Sequence, residues 1–105
     1  MQGRYYNIQR ATQAQIQYLK YVKELLLQGY KVFEVEQEKG DIIPYHSHSH
    51  KEIIIVSSGK LRMIVEENII DLNEGEIITI EPWAIHLSCY PFEGGANFYL
   101  CFPPK

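Results

Sequence analysis

At 105 residues with 46% hydrophobic content, the chain fits one compact domain and is too apolar for wholesale disorder. The formal charge of −3, with ten Lys and Arg scattered and no dense basic run, gives no electrostatic case for a nucleic-acid partner. No apolar stretch approaches the ~18 residues of a membrane span, and Met1-Gln2-Gly3-Arg4-Tyr5-Tyr6 lacks the apolar core of a signal peptide, so a cytoplasmic protein is expected.

The chain divides into a helical front piece, residues 1–29, and a strand-rich body, residues 30–105. Thr12 followed by Gln15 has capping-box form, and Gly29 stands where a helix C′ glycine would. These signals predict a helix over about 13–28. Ile16, Leu19, Val22 and Leu26 fall at three- and four-residue spacing, with Tyr18 and Leu25 widening the stripe. Gln13, Gln17, Lys20, Glu24 and Gln28 form the polar face. Tyr18 and Tyr21 read as packing residues.

From Tyr30 the signals change to short strands. Lys31-Val-Phe-Glu-Val35 is the first, Gly40-Asp41 breaks it, and Pro44 stiffens the approach to a run of histidines. Glu52-Ile-Ile-Ile-Val56, Lys60-Leu-Arg-Met-Ile-Val65, Ile69-Ile-Asp-Leu72 and Glu76-Ile-Ile-Thr-Ile80 follow, separated by Ser58-Gly59, Glu67-Asn68 and Asn73-Glu74-Gly75. Ile85 to Tyr90 and Asn97 to Phe102 complete the set. Strands this short at intervals of about 10 residues predict a sandwich or barrel. Ile53-Ile54-Ile55-Val56 does not alternate, so this strand must be covered on both faces. The outer cover has to come from the N-terminal helix or another subunit, and a homodimer is expected. Cys89 and Cys101 are too few and too far apart for a disulfide framework or a CxxC site, and read as buried reduced thiols.

Three of the four histidines lie within five residues, in Tyr45-His46-Ser47-His48-Ser49-His50-Lys51-Glu52. In an extended strand residues two apart share a side, so His46 and His48 can present two imidazoles to one point, with Glu52 at the same parity. Imidazole nitrogen suits Zn, Fe, Ni and Cu, and a carboxylate adds one hard oxygen. Clustered histidines alone are equally the pattern of an exposed His-rich loop.

The full spacing resembles the cupin superfamily. The first cupin motif runs Gly, five residues, His-x-His, three or four residues, Glu, six residues, Gly; Gly40, His46, His48, Glu52 and Gly59 match every position. The second motif places a His eleven residues after a Gly, as Gly75 and His86 do, and fifteen residues separate Gly59 from Gly75. This chain departs from the second motif at three places. Pro82 lies one place late, Trp83 stands where Gly is usual, and Tyr90 replaces the usual Asn. The resemblance covers residues 30 to 102.

The resemblance implies an all-β, double-stranded β-helix (jelly-roll) barrel preceded by one amphipathic helix. It implies one divalent transition metal ion (Fe, Mn, Ni, Zn or Co) held by His46, His48, Glu52 and His86, with two adjacent positions open to a small-molecule ligand. His50 and Trp83 are then expected around the pocket mouth. Tyr90, at the parity of His86, is expected to point into the barrel, where it packs or offers its hydroxyl to substrate as an acid. Relatives of this fold include dioxygenases, isomerases, epimerases, decarboxylases, sugar-binding sensors and storage proteins. The expected function is therefore a metal-dependent dioxygenase or isomerase acting on a small oxygen-rich metabolite. The alternative is a non-catalytic sensor cupin. The segment Glu52 to Gly59 also resembles the ligand-binding barrel of arabinose-regulator-type transcription factors, which carry a helix-turn-helix domain downstream; here the sequence reads to Pro103-Pro104-Lys105 without one.

Overall fold

The computed structural model describes residues 4–10 and 14–104. In chain order the elements are β1 (Tyr6–Gln9), α1 (Ala14–Leu27), β2 (Lys31–Gln37), β3 (Ile42–His46), β4 (Glu52–Ser58), β5 (Lys60–Val65), β6 (Asn68–Asn73), β7 (Ile77–Ile80), β8 (His86–Cys89) and β9 (Ala96–Phe102). The strands form two antiparallel sheets, one ordered β1-β7-β4-β9-β2 and the other β3-β8-β5-β6. Among the described residues no ladder joins the sheets into a continuous cylinder; they face one another as a two-sheet jelly roll. Two strands were not legible in the residue pattern. β1 pairs with the edge of β7, and β3 contains Pro44 in a stretch that reads as a stiff approach rather than a ladder partner.

Alternation along each strand builds the interior. Ile54 and Val56 of β4, Ile78 and Ile80 of β7 and Phe98 of β9 point inward, opposite Leu61, Met63 and Val65 of β5 and Ile70 and Leu72 of β6. The other face of β4, with Ile53 and Ile55, joins Ile77 and Cys101 in a second cluster beneath α1. The helix thus supplies, within the chain, the outer cover that the non-alternating β4 requires.

The helical stripe differs from the expected one. Leu25 is buried, and Tyr18, Tyr21 and Val22 pack beside it, whereas Leu19 and Leu26 are each 55% exposed. Among the described side chains of α1 the sheet meets the arc through positions 18, 21, 22 and 25, so Leu19 and Leu26, one position off that arc, stay in solvent. Thr12 lies outside the described residues, and the expected capping box with it. The C-terminus follows the glycine signal closely. Gly29 has φ +88°, its N–H donates to the Leu26 carbonyl at 3.0 Å, and the Tyr30 N–H donates to the Leu25 carbonyl at 3.0 Å. This paired closure is the Schellman arrangement, and Tyr30 joins Leu25 in the apolar cluster beneath the helix.

The β4–β5 connection crosses from one sheet to the other at Gly59. Its φ is +77°, and a Cβ there would lie 2.4 Å from the Gly95 carbonyl oxygen. Only glycine fits.

Candidate metal centre

His46 ends β3 and His86 opens β8, and antiparallel pairing sets the two residues directly opposite. The register reaches this point through an irregularity. Ile43 faces Ser88 and His46 faces His86, so three steps on β3 match two on β8. The extra residue of this bulge turns Ile43 and His46 to the same inner side, leaving Pro44 and Tyr45 exposed between them. Pro44 has no N–H to offer a ladder, which suits it to such a site. Glu52 opens β4 in the facing sheet and shares the inward parity of Ile54 and Val56.

His48 lies beyond the end of β3, in the segment that passes from one sheet to the other. Strand parity with His46 is therefore not what aims it. The backbone is held instead by Trp83, whose N–H donates to the His48 carbonyl at 2.7 Å. Trp83 occupies the third position of a turn closed by the Ala84 N–H on the Glu81 carbonyl at 3.2 Å, with Pro82 second and φ +68° at Trp83. Those are the features of a type II turn, which normally places glycine at that third position.

The structure brings His46, His48, Glu52 and His86 together, with one ligand atom from each within 4.8 Å of all the others. Ring centroids are 4.3 Å apart for His46 and His86, 4.7 Å for His46 and His48, and 5.3 Å for His48 and His86. Gathered at this range, the three imidazoles and the carboxylate would hold one ion of the kind that nitrogen and hard oxygen donors suit.

The hydrogen bonds around the rings fit a cation. His46 Nδ1 lies 2.7 Å from the Pro44 carbonyl and His86 Nδ1 lies 2.9 Å from the Ala84 carbonyl. A carbonyl only accepts, so each Nδ1 carries the proton and each Nε2 is left with a lone pair for the centre. His48 Nε2 is buried without a hydrogen-bond partner. His86 Nε2 lies 2.9 Å from Glu52 Oε1, a contact that brings two lone pairs together unless a proton or a metal ion sits there. Without metal, the surroundings of His86 favour its protonated form. Burial opposes its charge, but the bonds to Glu52 and Ala84 outweigh this and hold its pKa above the ordinary 6.5. His48 moves the other way. Burial, together with His46, His86 and His50, outweighs attraction to Glu52 and lowers its pKa. The donor set, three imidazoles and a buried carboxylate, can hold a divalent ion.

A cavity of about 30 Å³ adjoins the cluster, lined by Ile43, His46, Glu52, Ile54, Met63, His86, Ser88 and Leu100. Met63 points inward, while Arg62 points out and pairs with Asp71. A larger cleft, about 470 Å³, lies over Gln37, Ser58, Gly95 and Asn97 and shares no residue with the cluster. It sits at the Ser58 end of β4, about 20 Å along the strand from Glu52 at 3.3 Å per residue.

The remaining candidates fall around the site or away from it. His50 is exposed, its ring stacked on His48 at 5.2 Å and edge-on to Phe102 at 5.3 Å. The Trp83 side chain is 66% exposed. Tyr90 is buried, but its hydroxyl donates to the Glu93 carbonyl and it does not line the cavity beside His86. Ser88 does line that cavity. Its two-residue spacing from His86 is the one signal in the sequence that marks it.

A family model described as a cupin domain matches residues 33–88. No curated protein sequence matches the chain. Among solved structures, a conserved protein of unknown function from Streptococcus pyogenes superposes with TM-score 0.66 at 18% identity, over 72% of this chain and 66% of that one. This chain thus spans a little under two thirds of that protein's length. A cupin-2 domain protein from Shewanella frigidimarina gives TM-score 0.63 at 22% identity, covering 71% of each chain. A cupin family protein with a double-stranded β-helix fold from Methanocaldococcus jannaschii gives 0.67 at 16%, covering 71% of this chain and 70% of that one. These structures are alike in fold.

Proposed function

This chain belongs to the cupin family, and from that premise we propose that it binds one divalent transition metal ion through His46, His48, Glu52 and His86. We propose further that it serves as a metal-dependent dioxygenase or isomerase for a small oxygen-rich metabolite. The observation that carries the metal reading is the buried Nε2 of His48, which has no hydrogen-bond partner and lies 3.5 Å from Glu52 Oε1. An ion so held would act as a Lewis acid with about one net positive charge after Glu52, favouring anionic or bidentate oxygen ligands.

The chain's own residues prepare that site. Pro44 and Ala84 fix the tautomers of His46 and His86 through their carbonyls. Trp83 holds the His48 backbone. Ile43, Ile54, Met63 and Leu100 line the cavity with hydrocarbon, which limits water beside the reacting ligand. The test is metal content after growth in defined metals, followed by oxygen uptake with candidate diols and thiols. One equivalent of redox-active metal with uptake supports the oxygenase. A chain that retains no metal at neutral pH overturns the reading.

One observation favours the second reading, a ligand-binding sensor. Beyond the candidate ligands His46, Glu52 and His86, the described residues lining the cavity are Ile43, Ile54, Met63, Ser88 and Leu100, none with an acidic or basic side chain, so proton transfer has no dedicated partner there. Tight metabolite binding to the metal-loaded protein without turnover would favour it.

A further inference from the structure

We propose that Ser88 is the polar anchor of a small-ligand seat inside the metal centre, sized for a ligand of two or three heavy atoms such as dioxygen or a triatomic anion. The inference rests on the metal reading above and names the ligand class of that site.

Ser88 stands two residues after His86 on β8, so both side chains face inward from one strand. It is 4% exposed, and its Oγ is buried with no hydrogen-bond partner. A buried hydroxyl left unpaired is costly and calls for a partner. The walls do not supply one: Ile43, Ile54, Met63 and Leu100 present only hydrocarbon or thioether surface to the cavity, and none of His46, Glu52 and His86, which share it, hydrogen-bonds to Ser88 Oγ. The partner is therefore a guest in the cavity.

Size limits the guest. The cavity measures about 30 Å³, and one water needs about 10–15 Å³ on this kind of measure, so the seat holds about two atoms of water size. A sugar or an aromatic ring does not fit. A short polar molecule does, with one end among the imidazoles and Glu52 and the other accepting a hydrogen bond from Ser88 Oγ. A larger substrate would approach from the exposed side of His46 and His48 and leave this inner seat to the small ligand.

The probe is azide, titrated into the cobalt(II)-loaded protein and followed by the visible absorption of the ion, with chloride as a one-atom control. Ser88→Ala is expected to weaken azide about tenfold, the loss of one hydrogen bond to an anion, while cobalt content and chloride affinity stay at the wild-type values. Ser88→Thr keeps the hydroxyl but places a methyl group in the seat, and is expected to weaken azide as well. Azide affinity within twofold of wild type in Ser88→Ala, or equal weakening of azide and chloride, would overturn the proposal. Those results leave cobalt binding intact, and so are distinguishable from failure of the metal reading, in which the wild type takes up no cobalt and the seat falls with it.

Discussion

The backbone N–H of Trp83 donates to the carbonyl of His48 at 2.7 Å from a residue held at φ +68°. A bulky L-residue in that conformation is strained by about 1–2 kcal/mol. The hydrogen bond ties the one candidate ligand that no strand positions to the turn preceding His86. Trp83→Gly keeps the N–H, removes the strain and sacrifices little packing, because the indole is 66% exposed. It is expected to stabilise the protein by about 0.5–1 kcal/mol after allowing for the looser unfolded chain. Urea unfolding checks the gain, and unchanged metal affinity checks that the tie persists.

Removing His86 leaves Glu52 buried without its 2.9 Å partner. His86→Ala is expected to abolish stoichiometric metal binding and to destabilise the metal-free protein by about 3 kcal/mol, the usual scale for orphaning one member of a buried pair. Metal analysis after dialysis reads the first effect and chemical denaturation in chelator the second. Full metal retention would show that His86 is not a ligand.

Asp71 accepts two hydrogen bonds from Arg62, at 2.8 and 3.0 Å, across the β5–β6 ladder. The Arg62 hydrogen bonds, against a smaller burial effect, lower its pKa below the ordinary 3.8. A depressed carboxylate contributes stability that is present above its unfolded value and lost as pH falls through its folded one. The wild type is therefore expected to lose stability below about pH 4 more steeply than Asp71→Asn. Denaturation midpoints in chelator between pH 5 and 2 (~3 units) compare the two. Parallel curves would remove Asp71 from the acid response.

Gly59→Ala would push a Cβ to 2.4 Å from the Gly95 carbonyl in a φ +77° conformation. Backbone cannot yield as a side-chain tip does, so a loss of at least about 2 kcal/mol is expected. Thermal unfolding tests it.

Leu25 and Leu26 separate the two registers of α1. Leu25→Ala is expected to cost about 2–4 kcal/mol by opening a cavity over Ile53 and Ile55. Leu26→Ala should stay within about 0.5 kcal/mol, as surface substitutions do. Equal effects would mean the helix sits on the wider stripe.

Much of this was legible in the residues. The β4, β5, β6 and β7 stretches showed themselves through apolar runs cut by Gly59, Asn68 and Gly75, and the four candidate ligands through their spacing from Gly40 and Gly75. What escaped has physical causes. β1 is four residues long and gains its order from pairing with β7, a long-range contact with no local trace. The β3 bulge conceals the shared facing of Ile43 and His46, because alternation fails where one residue is extra. Parity suggested that His46 and His48 face one point, but His48 lies beyond the end of β3, where its carbonyl is tied to the Trp83 N–H and no strand sets its facing. Tyr90 had the parity of His86, but β8 ends at Cys89 and the hydroxyl turns to Glu93.

Cys101 lies beneath α1 with no exposed surface, and burial foremost, then the charge of Glu52, raises its thiol pKa to about 12. Alkylating reagents attack the thiolate, so in the docked state this sulfur is chemically silent. Labelling must wait for the helix to lift from the sheet. In a chain whose Cys89 has been replaced by Ser, the rate of alkylation at Cys101 would become a clock for local opening, timing how often the N-terminal segment lets go while the jelly roll beneath it stays folded.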